Sequence, residues 1–228
     1  MQRAVVKIGG SLMIPKSGID TNFLSSLNTF IRTHIQKGRS FYFVVGGGST
    51  TRTYQEAAQK VIHNIPQDDV DWLGIHSTRL NAQLLRTVFK DIAHPRVIEN
   101  YDHKLEDVSQ PVIVASGWKP GHSTNACAIQ LAIDYDVSTV LNLTNTAFVY
   151  DKDPHEHADA QPLKELSWSQ YFELIPSEWT PGAHVPFDPI AARMAKEHAK
   201  TVIIADGTNF INTSAILDGQ DFEGTVIS

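Results

Sequence analysis

What the chain has little of already narrows the possibilities. Cys127 is the single cysteine among 228 residues, so no disulfide can form within the chain. Its apolar neighbours, Ala126, Ala128 and Ile129, suit a buried structural thiol better than a reactive one. Positive charge is not in excess: 19 lysines and arginines against 25 acids leave a net charge of −6. That balance gives no basic footprint for nucleic acid, although a few local cations can still hold a small anion. No apolar run approaches the roughly 20 residues needed to cross a bilayer. The opening residues read as a strand rather than a secretory leader, so a cytoplasmic protein without a membrane partner is expected. Internal repeats and low-complexity stretches are missing. So are the common nucleotide fingerprints. G-x-x-x-x-G-K-[ST] has no match, and Thr51 stands where G-x-G-x-x-G requires its third glycine. Any phosphate chemistry must use another device.

What is present centres on residues 41–52, FYFVVGGGSTTR. Phe41, Tyr42, Phe43, Val44 and Val45 form a continuous apolar run ending in three glycines, the pattern of a parallel strand buried on both faces. Glycines beyond such a strand allow positive φ and close approach to a ligand. Their exposed N–H groups can cradle an anion at the head of the next helix. The alternative is an ordinary glycine-rich turn between strand and helix. Ser49, Thr50 and Thr51 are candidate N-caps for a helix through Tyr54, Ala57, Ala58 and Val61. Arg52 falls in its first turn, where it suits a bidentate grip on phosphate.

The rest alternates strand and helix. Strands are expected over 4–8, 97–98, 112–115, 139–143, 202–205 and 224–227, with a loop over 12–19. Asp20 caps a helix that ends at Lys37-Gly38. A loop over 64–71 precedes the longest helical pattern, residues 72–92. A second candidate loop, residues 116–125 (SGWKPGHSTN), opens a helix through Ala126, Ile129, Ala132 and Ile133. Residues 155–187 read mostly as loop with a short helix over 171–174, and Asp188-Pro189 starts a helix reaching residues 194–199. This order implies one α/β domain, a three-layer α/β/α sandwich with a mostly parallel sheet. Ligands in such sheets sit beyond the carboxyl ends of the strands. The segments after residues 8, 45, 115 and 143 can therefore share one rim.

Lys7 fits that rim. A cation in a β run is awkward as structure, but its ammonium can reach a phosphate at the strand end. Two unit charges about 4 Å apart attract by roughly 4 kcal/mol at an effective dielectric near 20. An edge-strand lysine is the plain alternative. Asp188 before Pro189 is equally a fitting helix N-cap, and Asp71 could cap the helix after it. His155, Glu156 and His157 beside Asp153 resemble a metal cluster but read as a solvated loop, so no metal site is assigned.

Four segments together carry a family resemblance: Lys7-Ile8-Gly9-Gly10-Ser11, Val44-Val45-Gly46-Gly47-Gly48, Pro120-Gly121-His122-Ser123-Thr124 and Val149-Tyr150-Asp151-Lys152-Asp153-Pro154. In this order they resemble the amino acid kinase family. Asp71-Trp72-Leu73-Gly74-Ile75-His76 with Thr78-Arg79-Leu80-Asn81-Ala82 is similar to its uridylate (UMP) kinases of the archaeal type, and the likeness spans essentially the whole chain. It implies an amino acid kinase fold with an acceptor lobe over about 1–115 and an ATP lobe over about 116–228. The resemblance implies phosphorylation of UMP by ATP with Mg2+, in a homo-oligomer, a hexamer as in the UMP kinases it resembles. It further implies that Lys7, with Gly9, Gly10 and Ser11, holds the transferring phosphate and that Asp188 organises lysine or magnesium. UMP would be bound by Gly47, Gly48, Arg52, Asp71, Pro120, Gly121, His122, Ser123 and Thr124. ATP would be bound by Thr144, Asn145, Tyr150 and Asp153. Two departures stand out. Asn125 replaces the aspartate usual after the threonine, which implies weaker turnover. Thr146-Ala147-Phe148 replaces Val-Asp-Gly, which leaves the nucleotide preference open. Another kinase of the family, acting on a different small phosphate or a carboxylate, is the first alternative. Against isopentenyl phosphate kinases stands the missing histidine after the triple glycine. A non-catalytic nucleotide-binding or storage protein on the same scaffold is the second.

Overall fold

A computed structural model describes residues 2–106, 108–154, 156–176 and 185–228. Strand β1 (Gln2–Ile8) leads through the short helix α1 (Gly10–Met13) to α2 (Thr21–Gln36). Strand β2 (Arg39–Val45) is followed by α3 (Gly48–Val61) and α4 (Gln67–Val88). Then come β3 (Val112–Ala115), α5 (Thr124–Asp134), β4 (Thr139–Thr144), β5 (Val149–Tyr150), β6 (Pro162–Leu163) and β7 (Glu165–Leu166). The chain closes with α6 (Trp168–Leu174), α7 (Pro189–Glu197), β8 (Thr201–Asp206), α8 (Phe210–Asp218) and β9 (Thr225–Ile227). Seven strands form one sheet in the order β3-β2-β1-β4-β8-β9-β7, parallel in every pairing except β8 with β9. Strands β5 and β6 make a separate antiparallel ribbon.

Alternation along the strands feeds two cores, one on each face. Val5, Tyr42, Val44, Ile113, Ala115, Val140, Val202 and Ile204 point to one face and pack with residues of α5, α6 and α7. Val6, Ile8, Phe41, Phe43, Val45, Val114, Leu141 and Leu143 point to the other and pack with α1, α2 and α4. Every residue of β2 is buried, as a parallel strand covered on both faces requires. The result is three layers, with α3 lying outside against α4 and burying none of its own residues.

Several expectations hold in detail. Asp20 Oδ1 accepts from Phe23 N at 2.8 Å and caps α2, and Gly38 takes φ 85° just beyond its end. Others are corrected. Residues 10–13, inside the loop approach, close into helix α1. The start of α3 is Gly48, with Gly47 at the N-cap position, so Ser49 and Thr51 do not cap it. Their hydroxyls serve tertiary contacts instead: Ser49 Oγ donates to Pro15 O, and Thr51 Oγ1 pairs with Ser77 Oγ. Arg52 consequently lies in the second turn. Helix α4 begins at Gln67, behind Pro66, so residues 67–71 are helical rather than loop. Asp71 is therefore inside the helix, and its N-cap reading is excluded. Residues 97–98 contribute only an isolated bridge, Ile98 to Ala115. Helix α8 occupies residues for which no element is expected from the sequence.

Candidate active site

The register puts the proposed loops side by side. Ile8 is level with Val45 and Leu143, Val44 with Ala115, and Thr144 with Asp206. The carboxyl ends of the central strands thus form one rim, and Lys7 stands one residue below it on the face covered by α5 and α7. Desolvation lowers its pKa from 10.5 to about 8, opposed by the attraction of Asp188. Asp188 is buried at the head of α7. Its Oδ1 accepts from the N–H groups of Ile190 at 3.1 Å and Ala191 at 3.0 Å. Its Oδ2 accepts from Ser123 Oγ at 2.5 Å. Asp188 is thus the N-cap of α7, with proline following, and its negative charge raises the Lys7 pKa against the desolvation. Ser123 Oγ in turn accepts from Ala126 N at 3.0 Å and caps α5. One hydroxyl joins two helix N-termini beside a cation, an arrangement that favours an anion in the space above.

The glycines are required for a reason the sequence does not announce. A Cβ on Gly10 would lie 2.0 Å from Gly48 N, and one on Gly46 would lie 2.6 Å from Gly10 N. The loops after β1 and β2 pass backbone against backbone, and Gly48 adopts φ 66°. Gly46 N–H is spent on Ile8 O and Ser49 N–H on Ile14 O. Among the described residues, Gly47 and Gly48 are thus the ones whose N–H groups are left for a ligand there. Helix α4 sets the loops from behind. Asn81, only 3 % exposed, donates through Nδ2 to Gly46 O at 2.9 Å and to Gly47 O at 3.0 Å. Thr78 Oγ1 accepts from Gly117 N at 2.8 Å. Asp71 Oδ2 accepts from Gly121 N at 3.0 Å, tying α4 to the second loop.

In that second loop Pro120, His122, Ser123 and Thr124 are half-buried and Gly121 is exposed. The His122 ring lies 4.8 Å from that of Trp118, and Lys119 Nζ stands 3.8 Å over the Trp118 ring. Arg52 is exposed, with no ion pair among the described residues. On the far side, Thr144 Oγ1 accepts from Thr146 N and donates to Thr146 O, which fixes the turn beyond β4. Asn145 and Asp153 are exposed, and Tyr150 is half-buried with Phe148 edge-on at 6.3 Å. Lys7, Gly9, Gly10, Ser11, Gly47, Gly48, Asp71, Gly121, Ser123, Thr124, Thr144 and Asp188 are thus gathered at one rim. The structure assigns no contact between Arg52 and that group. Asn125 is 9 % exposed in the first turn of α5, and its Oδ1 has no hydrogen-bond partner among the described residues. His155 lies outside the described residues, and among those described no three His, Cys, Asp or Glu side chains cluster as a metal site.

The sequence profile of the amino acid kinase family matches residues 2–206. This chain belongs to the amino acid kinase family. Within the family it is 33 % identical over 230 residues to the uridylate kinase of Methanoregula boonei, covering 100 % of this chain and 96 % of that one. It is 30 % identical to the uridylate kinase of Methanobrevibacter smithii, covering 99 % of each. Among solved structures, the uridylate kinase of Archaeoglobus fulgidus superposes with a TM-score of 0.83 at 29 % identity, each chain covered completely. The aspartate kinase of Synechocystis shares the fold, with a TM-score of 0.73 at 16 % identity over 39 % of its length. In the sequence, Thr78 and Asn81 stand out only as members of a family-like motif. Their work as braces behind the two loops is visible only once α4 is seen to pass beneath both.

Proposed function

We propose that this chain is an ATP-dependent UMP kinase. A phosphate oxygen of UMP attacks the γ-phosphorus of ATP in line; the new O–P bond forms as the bond to the ADP oxygen breaks, and ADP leaves. No general base is needed, because the attacking oxygen is already ionised. The observation that carries the reading is Lys7 beside Asp188, where the interlocked glycine loops meet two capped helix N-termini. Phosphoryl transfer asks for positioning and charge neutralisation, and this rim offers both. The choice of UMP is supported by the full-length likeness to archaeal proteins named uridylate kinases.

We assign residues 1–115 to the acceptor side and 116–228 to the ATP side. Gly47, Gly48, Arg52, Asp71 and residues 120–124 take UMP; Thr144, Asn145, Tyr150 and Asp153 take ATP. Asp188 has both carboxylate oxygens engaged. The donors present therefore fit a magnesium ion carried by the nucleotide phosphates better than one caged by protein. Bound in that way, the ion neutralises phosphate charge, while Lys7 and the loop N–H groups hold the phosphate in place. The same reading takes the protein to be a cytoplasmic homo-oligomer, a hexamer.

The test is UDP formation from UMP and Mg-ATP, with CMP, isopentenyl phosphate and N-acetylglutamate in parallel. UMP-specific turnover is expected, with Lys7→Ala losing on the order of 2–4 kcal/mol of transition-state stabilisation, the scale for one preorganised donor. Near-normal kcat in Lys7→Ala would remove the lysine from its role. A second reading, nucleotide binding without turnover, is favoured by Asn125 in place of an aspartate, its Oδ1 lacking a hydrogen-bond partner among the described residues. In that case ATP protects against unfolding, no acceptor is phosphorylated, and turnover emerges only in Asn125→Asp.

A further inference from the structure

The segment ahead of α7 runs over Pro186, Phe187 and Asp188, outside any helix or strand. Phe187 is completely buried, so its backbone N–H and C=O need partners that secondary structure does not supply. One side chain answers both. Tyr171 of α6, itself completely buried, accepts from Phe187 N at 2.9 Å and donates to Phe187 O at 2.6 Å through its hydroxyl. A phenol carries one proton and the N–H can only donate, so the direction of both bonds is fixed. On the side before, Pro186 O accepts from Asn142 Nδ2 of β4 at 3.0 Å. On the side after, Asp188 Oδ2 accepts from Ser123 Oγ of α5 at 2.5 Å. Consecutive residues are thus each held by a side chain from a different element. A phenylalanine at 171 would fill nearly the same core space beside Trp168 and hold nothing.

What this mounting carries is Asp188, whose charge raises the Lys7 pKa against desolvation. We propose that Tyr171 is a positioning residue for the site: its hydroxyl fixes the backbone of Phe187 and thereby the direction in which the Asp188 carboxylate faces Lys7. The N-cap bonds from Ile190 and Ala191 bind that carboxylate to α7, but they move with the helix and do not set where its head stands. Tyr171 ties that head to α6, which packs into the same core. The inference rests on the reading of Lys7 and Asp188 as the pair that serves the transferring phosphate, and it gives a role to a residue outside the sequence motifs. Burial raises the Tyr171 pKa, opposed by its bond to Phe187 and reinforced by Asp188, so the hydroxyl keeps its proton while Lys7 titrates. Cys127 of α5, which also feels Asp188, is pushed up to about 12 by burial. Of these three groups, only Lys7 changes charge near pH 8.

The experiment reads Lys7 directly and needs no turnover. Protein labelled with ε-13C lysine is titrated by NMR, with Lys7→Arg identifying the signal, for wild type, Tyr171→Phe, Asp188→Asn and the double variant. Asp188→Asn removes the charge that favours the ammonium, so the midpoint should fall by about one pH unit. Tyr171→Phe should lower it by about half a unit, and by nothing further in the Asp188→Asn background, because the hydroxyl acts through the carboxylate. In the UMP assay Tyr171→Phe should lose kcat about tenfold, with KM for UMP within about twofold. A Lys7 midpoint unmoved by Tyr171→Phe, or moved equally in both backgrounds, overturns the proposal. Phe187→Leu is the control: it loosens the packing but keeps the backbone pair, so stability should fall while the midpoint stays within about 0.2 units of wild type. Should Tyr171→Phe fail to fold, this control decides alone, since a larger fall would show that packing, not the hydroxyl, places the carboxylate. If the wild type turns over no acceptor, the functional reading fails while the Lys7 titration still judges Tyr171.

Discussion

At the scale of single residues, one lysine carries the pH dependence. Lys7 is held near 8 by desolvation, with Asp188 pulling the other way. In the unfolded chain it titrates near 10.5, so between pH 8 and 10.5 the unfolded state binds more protons. The ligand-free protein therefore gains stability from this group as pH rises through that window. Activity moves oppositely: kcat/KM should fall on the alkaline side with a midpoint near pH 8, as the free enzyme loses the cation. A kcat/KM flat to pH 10 would contradict the assignment. Because dehydrating the ammonium is a cost of function, Lys7→Met should raise stability by on the order of 1–2 kcal/mol, read as a higher thermal midpoint, while abolishing turnover. Asn81 belongs to the same scale. Asn81→Ala leaves the buried carbonyl oxygen of Gly46 and the half-buried one of Gly47 without their shared donor, at about 1–3 kcal/mol of stability. It should also raise KM for UMP about tenfold, with kcat less affected. Unchanged stability and KM would show that the glycine loop holds its shape unaided.

Among elements, α8 shows how a segment is held from a distance. Arg39, at the start of β2, donates through Nη2 to Leu217 O at 2.6 Å and pairs with Asp218 at 2.9 Å. Its Nη1 lies 2.8 Å from His34 Nδ1. A guanidinium can only donate, so Nδ1 is bare, and the His34 proton sits on Nε2, facing Ser214 Oγ at 3.2 Å. Burial first, then the charges of Lys37 and Arg39, lower the His34 pKa, with Asp218 opposing. The unfolded chain therefore binds the proton more readily, and stability from this group is lost as pH falls below 6.5. Thermal midpoints of wild type should decline more steeply than those of His34→Gln between pH 6.5 and 5. Parallel declines would place the proton elsewhere.

For the whole molecule, the decisive feature is an outer layer left uncovered. Helix α3 buries none of its residues, and Tyr54, Val61 and Ile62 are exposed beside Trp72 and Leu80 of α4. Exposed apolar groups of this size on neighbouring helices suit an interface between copies. Light scattering at micromolar concentration should therefore give a multiple of the 25.3 kDa chain mass, six under the hexamer proposed above. Tyr54→Glu with Val61→Glu should lower it, and a monomeric wild type would count against assembly.

Much of this was legible in the chain. The apolar run ending in three glycines predicts β2 buried on both faces, and Asp20 and Asp188 each mark a helix start that the structure keeps. These signals are local: a strand's burial shows in its own composition, and a cap acts on the N–H groups two or three residues ahead. The motif order likewise identified the family, because spacing along the chain survives without coordinates. What only tertiary structure decided depends on neighbours far apart in sequence. Gly10 needs its hydrogen because Gly48 arrives there, Asn81 braces a loop 34 residues earlier, and Asp71 is a tether because α4 starts before it. A local pattern can name the residues able to bind phosphate; which of them are held still, and by what, is set by the sheet register and the helices packed across it.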